Sequence, residues 1–223
     1  MVALLVNDRE IEAKNGTNVL QACLDNDIYI PHLCYLESLD LPSASCRMCF
    51  VEIAGEDKPA TSCTTLVRDY MVIKTDTPAV RRLQRTALRL LLSVHHIDCK
   101  NCYAHKRCEL QNIAKFLKVG LKSKPLNRYL KDTDIDGSHL FLDYYPNRCV
   151  LCGKCLHVCR NQHGQSVLTF ANRGFNTVMS LYAAAEAPSP SCEDCARCVD
   201  ICPVGALALK VNQEASIHHP TEK

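Results

Sequence analysis

The chain opens with two short runs of alternating apolar and polar positions, residues 2–6 and 9–13, separated by Asn7-Asp8. A two-residue polar break between such runs predicts a β-hairpin. The period then changes. Val19, Leu20, Cys23 and Leu24 share one face of a helix that Thr17 can cap and that runs to about Asn26. Pro31 begins a long irregular stretch through Cys34 to Cys46, after which Met48 to Ala54 and Tyr70 to Thr75 read as strands. Thr77-Pro78 predicts a longer helix, with proline suited to its first turn. Val80, Leu83, Ala87, Leu90, Leu91 and Val94 recur at helical spacing along it. Arg81, Arg82, Arg85 and Arg89 lie largely off that face, as a solvated or subunit-facing basic side. Glu109 to Val119 reads as a further helix. Residues 120–140, with Lys122, Lys124, Pro125, Asp132, Asp134, Asp136 and Gly137, make a polar connector. Ala183 to Ser191 is a loop rich in small residues and proline, and the segment after about Val211 reads as a tail.

Sixteen cysteines in 223 residues change this picture. Four come first: Cys34, Cys46, Cys49 and Cys63. A central group follows, His95, Cys99, Cys102 and Cys108, spaced H-x₃-C-x₂-C-x₅-C, with His96 as a rival to His95. Two C-x₂-C-x₂-C-x₃-C runs close the series, Cys149-Cys152-Cys155-Cys159 and Cys192-Cys195-Cys198-Cys202, and form an internal repeat. Triplets of this kind suit metal ligation and not disulfides, and the chain is too long for a small secreted disulfide scaffold. The first four cysteines, taken alone, also suit a zinc site; the downstream runs favour iron–sulfur clusters. Cys23 is left over on the apolar face of the first helix, as a buried inert thiol. His157, His163, His218 and His219 have no companions at ligand spacing and read as surface or structural residues.

Other classes of function find little support. The formal charge is +2, basic residues are scattered, and there is no Trp to stack on bases, so nothing points to nucleic acid. Deprotonated metal ligands would make the loaded protein more acidic than that sum. The eight glycines form no G-x-G-x-x-G and no P-loop, so no site for NAD or flavin is recognisable. No apolar run is long enough to span a bilayer. The N-terminal residues lack the basic leader and apolar core of a signal peptide. The expectation is a cytoplasmic protein with reduced thiolates.

The order of motifs resembles a known family. Two strands, a helix and further strands around a cysteine-rich loop resemble a plant-type ferredoxin. The spacing C-x₁₁-C-x₂-C-x₁₃-C instead resembles the N-terminal [2Fe–2S] domain shared by the large iron–sulfur subunit of respiratory complex I and the [FeFe] hydrogenases. Ser43, Ala44 and Ser45 are small enough to bring backbone N–H groups near the sulfides. The family spacing selects His95 over His96. From about Phe141 the sequence resembles a bacterial two-cluster ferredoxin, in which the fourth cysteine of each run serves the other cluster. The chain as a whole resembles the small diaphorase subunit of cytosolic NAD-reducing bidirectional [NiFe] hydrogenases.

That resemblance implies an α+β protein in three parts. A β-grasp [2Fe–2S] ferredoxin-like domain covers 1–76, and a small helical His-Cys₃ [4Fe–4S] domain covers 77–119. The connector covers 120–140, a two-[4Fe–4S] ferredoxin-like domain 141–211, and a tail 212–223. It implies one [2Fe–2S] cluster on Cys34, Cys46, Cys49 and Cys63. The three [4Fe–4S] sets are His95, Cys99, Cys102 and Cys108; Cys149, Cys152, Cys155 and Cys202; and Cys159, Cys192, Cys195 and Cys198. It implies no catalytic residue on this chain, and no flavin, NAD or nickel site. A flavin/NAD-binding diaphorase subunit and the [NiFe] hydrogenase small and large subunits would be the partners. The sequence ends soon after Pro203-Val204-Gly205-Ala206-Leu207, without the long further domains of complex I, formate dehydrogenase or [FeFe] hydrogenase subunits. The equivalent wire of a formate dehydrogenase or a bifurcating complex, and a free multi-cluster ferredoxin carrier, are the alternatives.

Overall fold

In the computed structural model, residues 1–122, 126–164, 166–181 and 192–210 are described, without the side chains of residues 193 and 194. Lys124 and Pro125 of the connector, the Ala183–Ser191 loop, the tail, and His218 and His219 lie outside them.

The first unit is a five-stranded sheet. Strand β1 (Val2–Val6) pairs antiparallel with β2 (Arg9–Ala13), with Val6 opposite Arg9. Asn7 and Asp8 both have positive φ, 50° and 67°, as a type I′ turn requires of its two central residues. Strands β3 (Phe50–Ile53), β4 (Ala60–Thr61) and β5 (Met71–Lys74) complete the order β2-β1-β5-β3-β4, with β5 parallel to β1. Alternate residues Leu4, Val6, Ile11, Ala13, Val51, Ile53, Met71 and Ile73 face helix α1 (Val19–Leu24) across one core. Each fully buried aliphatic side chain there contributes roughly 1.5–3 kcal/mol.

Helix α1 departs from the sequence expectation at both ends. Its cap is Asn18, not Thr17: the Asn18 side-chain oxygen accepts from the Gln21 N–H at 2.9 Å, while the Thr17 carbonyl accepts from Val67. The helix stops at Leu24, because Asn26 turns its side-chain amide back onto the Ala22 carbonyl. Strand β4 was not expected. It is two residues long, below what periodicity can register.

Helix α2 (Pro78–Ser93) is capped by the Thr77 hydroxyl, which accepts from the Val80 N–H. Its buried face is Val80, Gln84, Ala87, Leu88 and Leu92; Leu90 is 56% exposed. The apolar stripe expected from the sequence is therefore rotated. The reason is Gln84, a polar core residue whose amide donates to the Phe50 carbonyl at 3.1 Å and ties α2 to the sheet. The basic side is also not simply solvated. The Arg81 guanidinium lies 4.7 Å from the Phe116 ring centre, and Arg85 donates to the Leu117 carbonyl at 3.0 Å. Arg85 thereby satisfies an orphan carbonyl at the end of α3 (Glu109–Phe116), a helix shorter than the expected run to Val119.

The last unit is built on little regular structure. Strand β6 (Leu142–Tyr144) pairs antiparallel with β9 (Leu207–Leu209). Between them lie α4 (Lys154–His163), an unanticipated pair β7 (Leu168–Ala171) and β8 (Val178–Leu181), and the short helices α5 (Cys192–Cys195) and α6 (Arg197–Asp200). Its core is continuous with that of α2 and α3: Leu88, Leu92, Ile113 and Leu117 pack in the same cluster as Tyr144, Val199 and Leu207. Among the described residues no helix is long and apolar enough to cross a membrane.

Candidate iron–sulfur sites

Cys34, Cys46, Cys49 and Cys63 sit on loops around the end of the first sheet, and all four are buried. The Cys34 and Cys46 sulfurs are 3.5 Å apart, and the Leu33 N–H donates to Cys46 Sγ at 3.4 Å. Ala44 and Arg47 adopt positive φ, 48° and 52°, which bends the loop tightly around these sulfurs. A side chain in that region is disfavoured, so the surrounding fold must enforce it. Hydrogen bonding from Cys46, then Ser43 and Ser45, opposes burial and holds the Cys34 thiol below its usual range. The Ser62 hydroxyl and N–H both engage the Cys49 carbonyl, and the Ser62 carbonyl accepts from Leu20 at the start of α1. The loop carrying Cys63 is thus fastened to the helix. Cys23 is fully buried in the same core as Cys49 and Cys63, and burial pushes its thiol up to about 12. It stays a neutral thiol.

In the middle of the chain α2 ends at Ser93 and delivers His95 into the protein; Cys99, Cys102 and Cys108 follow on a loop that ends at α3. His95 is buried, and its Nδ1 has no hydrogen-bond partner. Burial first, then the charge of Arg148, lowers its proton affinity to about 4, so the ring is neutral near pH 7. His96 is exposed, its backbone N–H donating to the Asn147 carbonyl at 2.6 Å. A neutral imidazole with a free ring nitrogen inside the protein is suited to coordinate a metal. Cys99 and Cys102 lie near enough to Cys108 that their charges, after burial, raise its pKa. The last unit closes over this loop. The Cys102 thiol donates to the Val204 carbonyl at 3.7 Å, and Glu109 N–H donates to the Pro203 carbonyl at 2.9 Å. Gly205 sits at φ 64°, and a Cβ there would come within 2.7 Å of the Ala104 backbone nitrogen.

The eight remaining cysteines line two cavities. The first is lined by Cys149, Cys152, Cys155 and Cys202, the second by Cys159, Cys192, Cys195 and Cys198. One helix feeds both: Cys155 in the first turn of α4 faces one cavity, and Cys159, a turn further on, faces the other. Cys198 on α6 and Cys202 just beyond it repeat the arrangement. The repeat extends to the backbone. Gly153 before α4 and Ala196 before α6 both cap their helices in the left-handed conformation, at φ 77° and 45°. Backbone amides point at the sulfurs, Leu151 N–H to Cys149 at 3.4 Å and Ala206 N–H to Cys202 at 3.2 Å. The Tyr144 hydroxyl, buried against the first cavity beside Cys149, accepts from Met179 N–H at 3.1 Å. Burial raises the Cys152 thiol to about 12, a penalty that a bound metal would have to overcome to hold the thiolate. Among the described residues no three ligand-type side chains converge tightly enough for a single ion. The sulfurs face one another across cavities instead. Apolar walls and four thiols each fit [4Fe–4S] groups at both, and N–H···S bonds add to the fit at the first.

Several contributors carried no sequence signal. His163 lines the second cavity, although it has no companions at ligand spacing. His157 does not reach a cavity; it bonds Ser38 at 3.0 Å and joins the last unit to the first. Tyr144 and Arg148, in the run before Cys149, were also unmarked. An aromatic and a basic residue beside a ligand cysteine are the hint that was there to read.

This is the architecture of a multi-cluster iron–sulfur protein. Residues 1–78 match the family described as a 2Fe-2S iron-sulfur cluster binding domain. Residues 84–121 match the NADH-ubiquinone oxidoreductase-G iron-sulfur binding region, and residues 141–208 the ferredoxin-like domain of NADH-quinone oxidoreductase subunit 3. Three successive stretches of the chain thus match iron–sulfur domains, two of them of the kind found in NADH-quinone oxidoreductase subunits. Among its relatives, the NADP-reducing hydrogenase subunit HndD of Solidesulfovibrio fructosivorans is 34% identical over 216 residues, 93% of this chain and 36% of that protein. The NADH-ubiquinone oxidoreductase 75 kDa subunit of Reclinomonas americana is 32% identical over 210 residues, 94% of this chain and 30% of that one. The chain thus spans about a third of the length of these two relatives. A chain in the crystal structure of an NAD+-reducing [NiFe]-hydrogenase in the H2-reduced state superposes with a TM-score of 0.81 at 27% identity. That match covers 98% of this chain and 90% of the other.

Proposed function

We propose that this chain is the iron–sulfur electron-transfer subunit of a cytoplasmic NAD-reducing hydrogenase, relaying electrons between a [NiFe] hydrogenase module and a flavin/NAD diaphorase subunit. The observation that carries the reading is the near full-length superposition on a chain of an NAD+-reducing [NiFe]-hydrogenase. The hydrogenase name of the HndD relative supports it. These relatives favour neither a formate dehydrogenase wire nor a free carrier.

In this reading Cys34, Cys46, Cys49 and Cys63 hold a [2Fe–2S] cluster, and His95, Cys99, Cys102 and Cys108 hold a [4Fe–4S] cluster. The cavity sets Cys149, Cys152, Cys155, Cys202 and Cys159, Cys192, Cys195, Cys198 hold two more. Bound clusters would supply one-electron redox centres. The protein's own part is to bind, space and insulate them. Thiolates and one neutral imidazole ligate. Leu33, Leu151 and Ala206 N–H groups stabilise charge on sulfur. Apolar walls exclude water. No side chain has acid–base or nucleophilic work to do.

Anaerobically purified protein should contain about 14 iron atoms per chain with matching sulfide. Alone it should neither oxidise NADH nor consume hydrogen. With the flavin subunit it should support NADH-dependent dye reduction, and with the [NiFe] subunits as well, hydrogen-driven NAD reduction. NADH oxidation by the flavin-free chain would overturn the proposal, as would stoichiometric zinc.

A further inference from the structure

Arg148 is only 7% exposed, and its guanidinium does not deprotonate in proteins. Buried charges are ordinarily paired. The ion pairs among the described residues are Arg68–Glu56 and Lys74–Asp8, both on the outside of the first unit, and Arg148 is in neither. Its side chain is held instead by neutral groups. It stacks 4.3 Å over the Tyr145 ring, and its Nη2 donates to the Asn101 carbonyl at 3.3 Å. The Asp98 carboxylate feels this charge, its pKa lowered by the Asn101 side-chain amide at 2.9 Å and then by Arg148, but it makes no ion pair with the guanidinium.

The location gives that lone charge a direction. Asn101 lies between Cys99 and Cys102, so the guanidinium is fastened to the loop that carries two of the central thiols. His95 lies within range of the same charge. Arg128 adds a bond to the His95 carbonyl at 3.5 Å, but Arg128 is exposed and water screens it. Arg148 comes from the short 3₁₀ turn Pro146–Arg148 that leads into Cys149, so the last unit supplies it to the central site.

We propose that Arg148 is the fixed counter-charge of the central His95/Cys99/Cys102/Cys108 site, a positioning residue that raises the reduction potential of the group held there. The inference rests on the cluster assignment above. Each added electron makes such a group more negative, and a buried cation at close range favours the more negative form.

The test is a redox titration followed by EPR on the full chain, with iron analysis, for wild type, Arg148→Gln and Arg148→Lys. Glutamine keeps a donor for the Asn101 carbonyl and removes the charge; lysine keeps the charge and loses the planar fork. The proposal expects Arg148→Gln to shift the central potential negative, and by more than any of the other three, and Arg148→Lys to restore most of it. An unmoved potential in Arg148→Gln overturns it, and so does a lysine variant shifted as far as glutamine. If Arg148→Gln loses the central iron, Arg148→Lys decides. Retained iron at near wild-type potential supports a charge role, and loss there too makes Arg148 a structural bolt. Absence of a central-cluster signal in wild type would instead reject the assignment itself.

Discussion

The first and last units solve the same problem, four thiols around one group, with different resources. In the first, five strands and a helix make a core of their own, and the four cysteines hang from loops at its edge, all buried. In the last, regular structure among the described residues amounts to two-stranded sheets and helices of three to ten residues, and of eight cysteines only Cys159 is buried. The first unit has a sheet-and-helix core of its own, so its loops should order before any metal arrives. The last unit places its cysteines on the short helices themselves, so the contents of the two cavities are a large share of its core. The difference teaches that a core built from secondary structure and a core built around its ligands should answer differently to loss of metal.

Stripping the iron should separate them most widely. Metal ligation can contribute on the order of 10 kcal/mol to a small domain that cannot fold alone. In apo-protein the amides of β6, β9 and α4 should lose hydrogen-exchange protection while those of β1, β5 and α1 keep it. Equal loss at both ends would erase the contrast.

Next comes the sharing of α4. Because Cys155 and Cys159 face different cavities one turn apart, Cys159→Ser should unsettle α4 and reduce iron at both C-terminal sites, with the [2Fe–2S] absorbance kept. Iron loss confined to one site would show that the two cavities are independent.

His95 provides a smaller effect, one of pH on the apo-protein. Its folded pKa, about 4, lies below the usual 6.5, because burial and Arg148 disfavour the imidazolium. The folded state therefore binds fewer protons than the unfolded one. The stability this contributes is complete above about pH 6.5 and is lost as pH falls towards 4, of order 3 kcal/mol at the acid end. Urea midpoints across that range should fall less steeply in His95→Gln, and His96→Ala should track wild type.

The smallest prediction compares the two halves of the repeat. Gly153 meets the left-handed cap without strain, whereas Ala196 holds the equivalent position with a Cβ. Ala196→Gly should stabilise the holo-protein by up to about 1 kcal/mol, read as a higher denaturation midpoint. Gly153→Ala should lower it.

Much of this was legible one residue after another. The hairpin at Asn7-Asp8, the Thr77-Pro78 start of α2 and the cysteine runs are local signals: turn chemistry, capping and ligand spacing act within a few residues, and the chain carries them wherever it goes. The buried face of α2 was not legible, because Gln84 enters a core only when a distant carbonyl, that of Phe50, is there to take its amide. Asn18 displaced Thr17 as a cap for a related reason: the Thr17 carbonyl was needed by Val67, far along the chain. The strands β7 and β8, the part of His163 in the second cavity and the lone charge of Arg148 are likewise products of contact. Composition determined that this chain is rich in metal-ligand thiols, and spacing determined how they are grouped along it. Which groups meet across a cavity, which histidine nitrogen is left without a partner, and where a buried cation faces the central thiols were decided only when the units packed, because burial, field and hydrogen-bond satisfaction are properties of neighbours in space and not of neighbours in sequence.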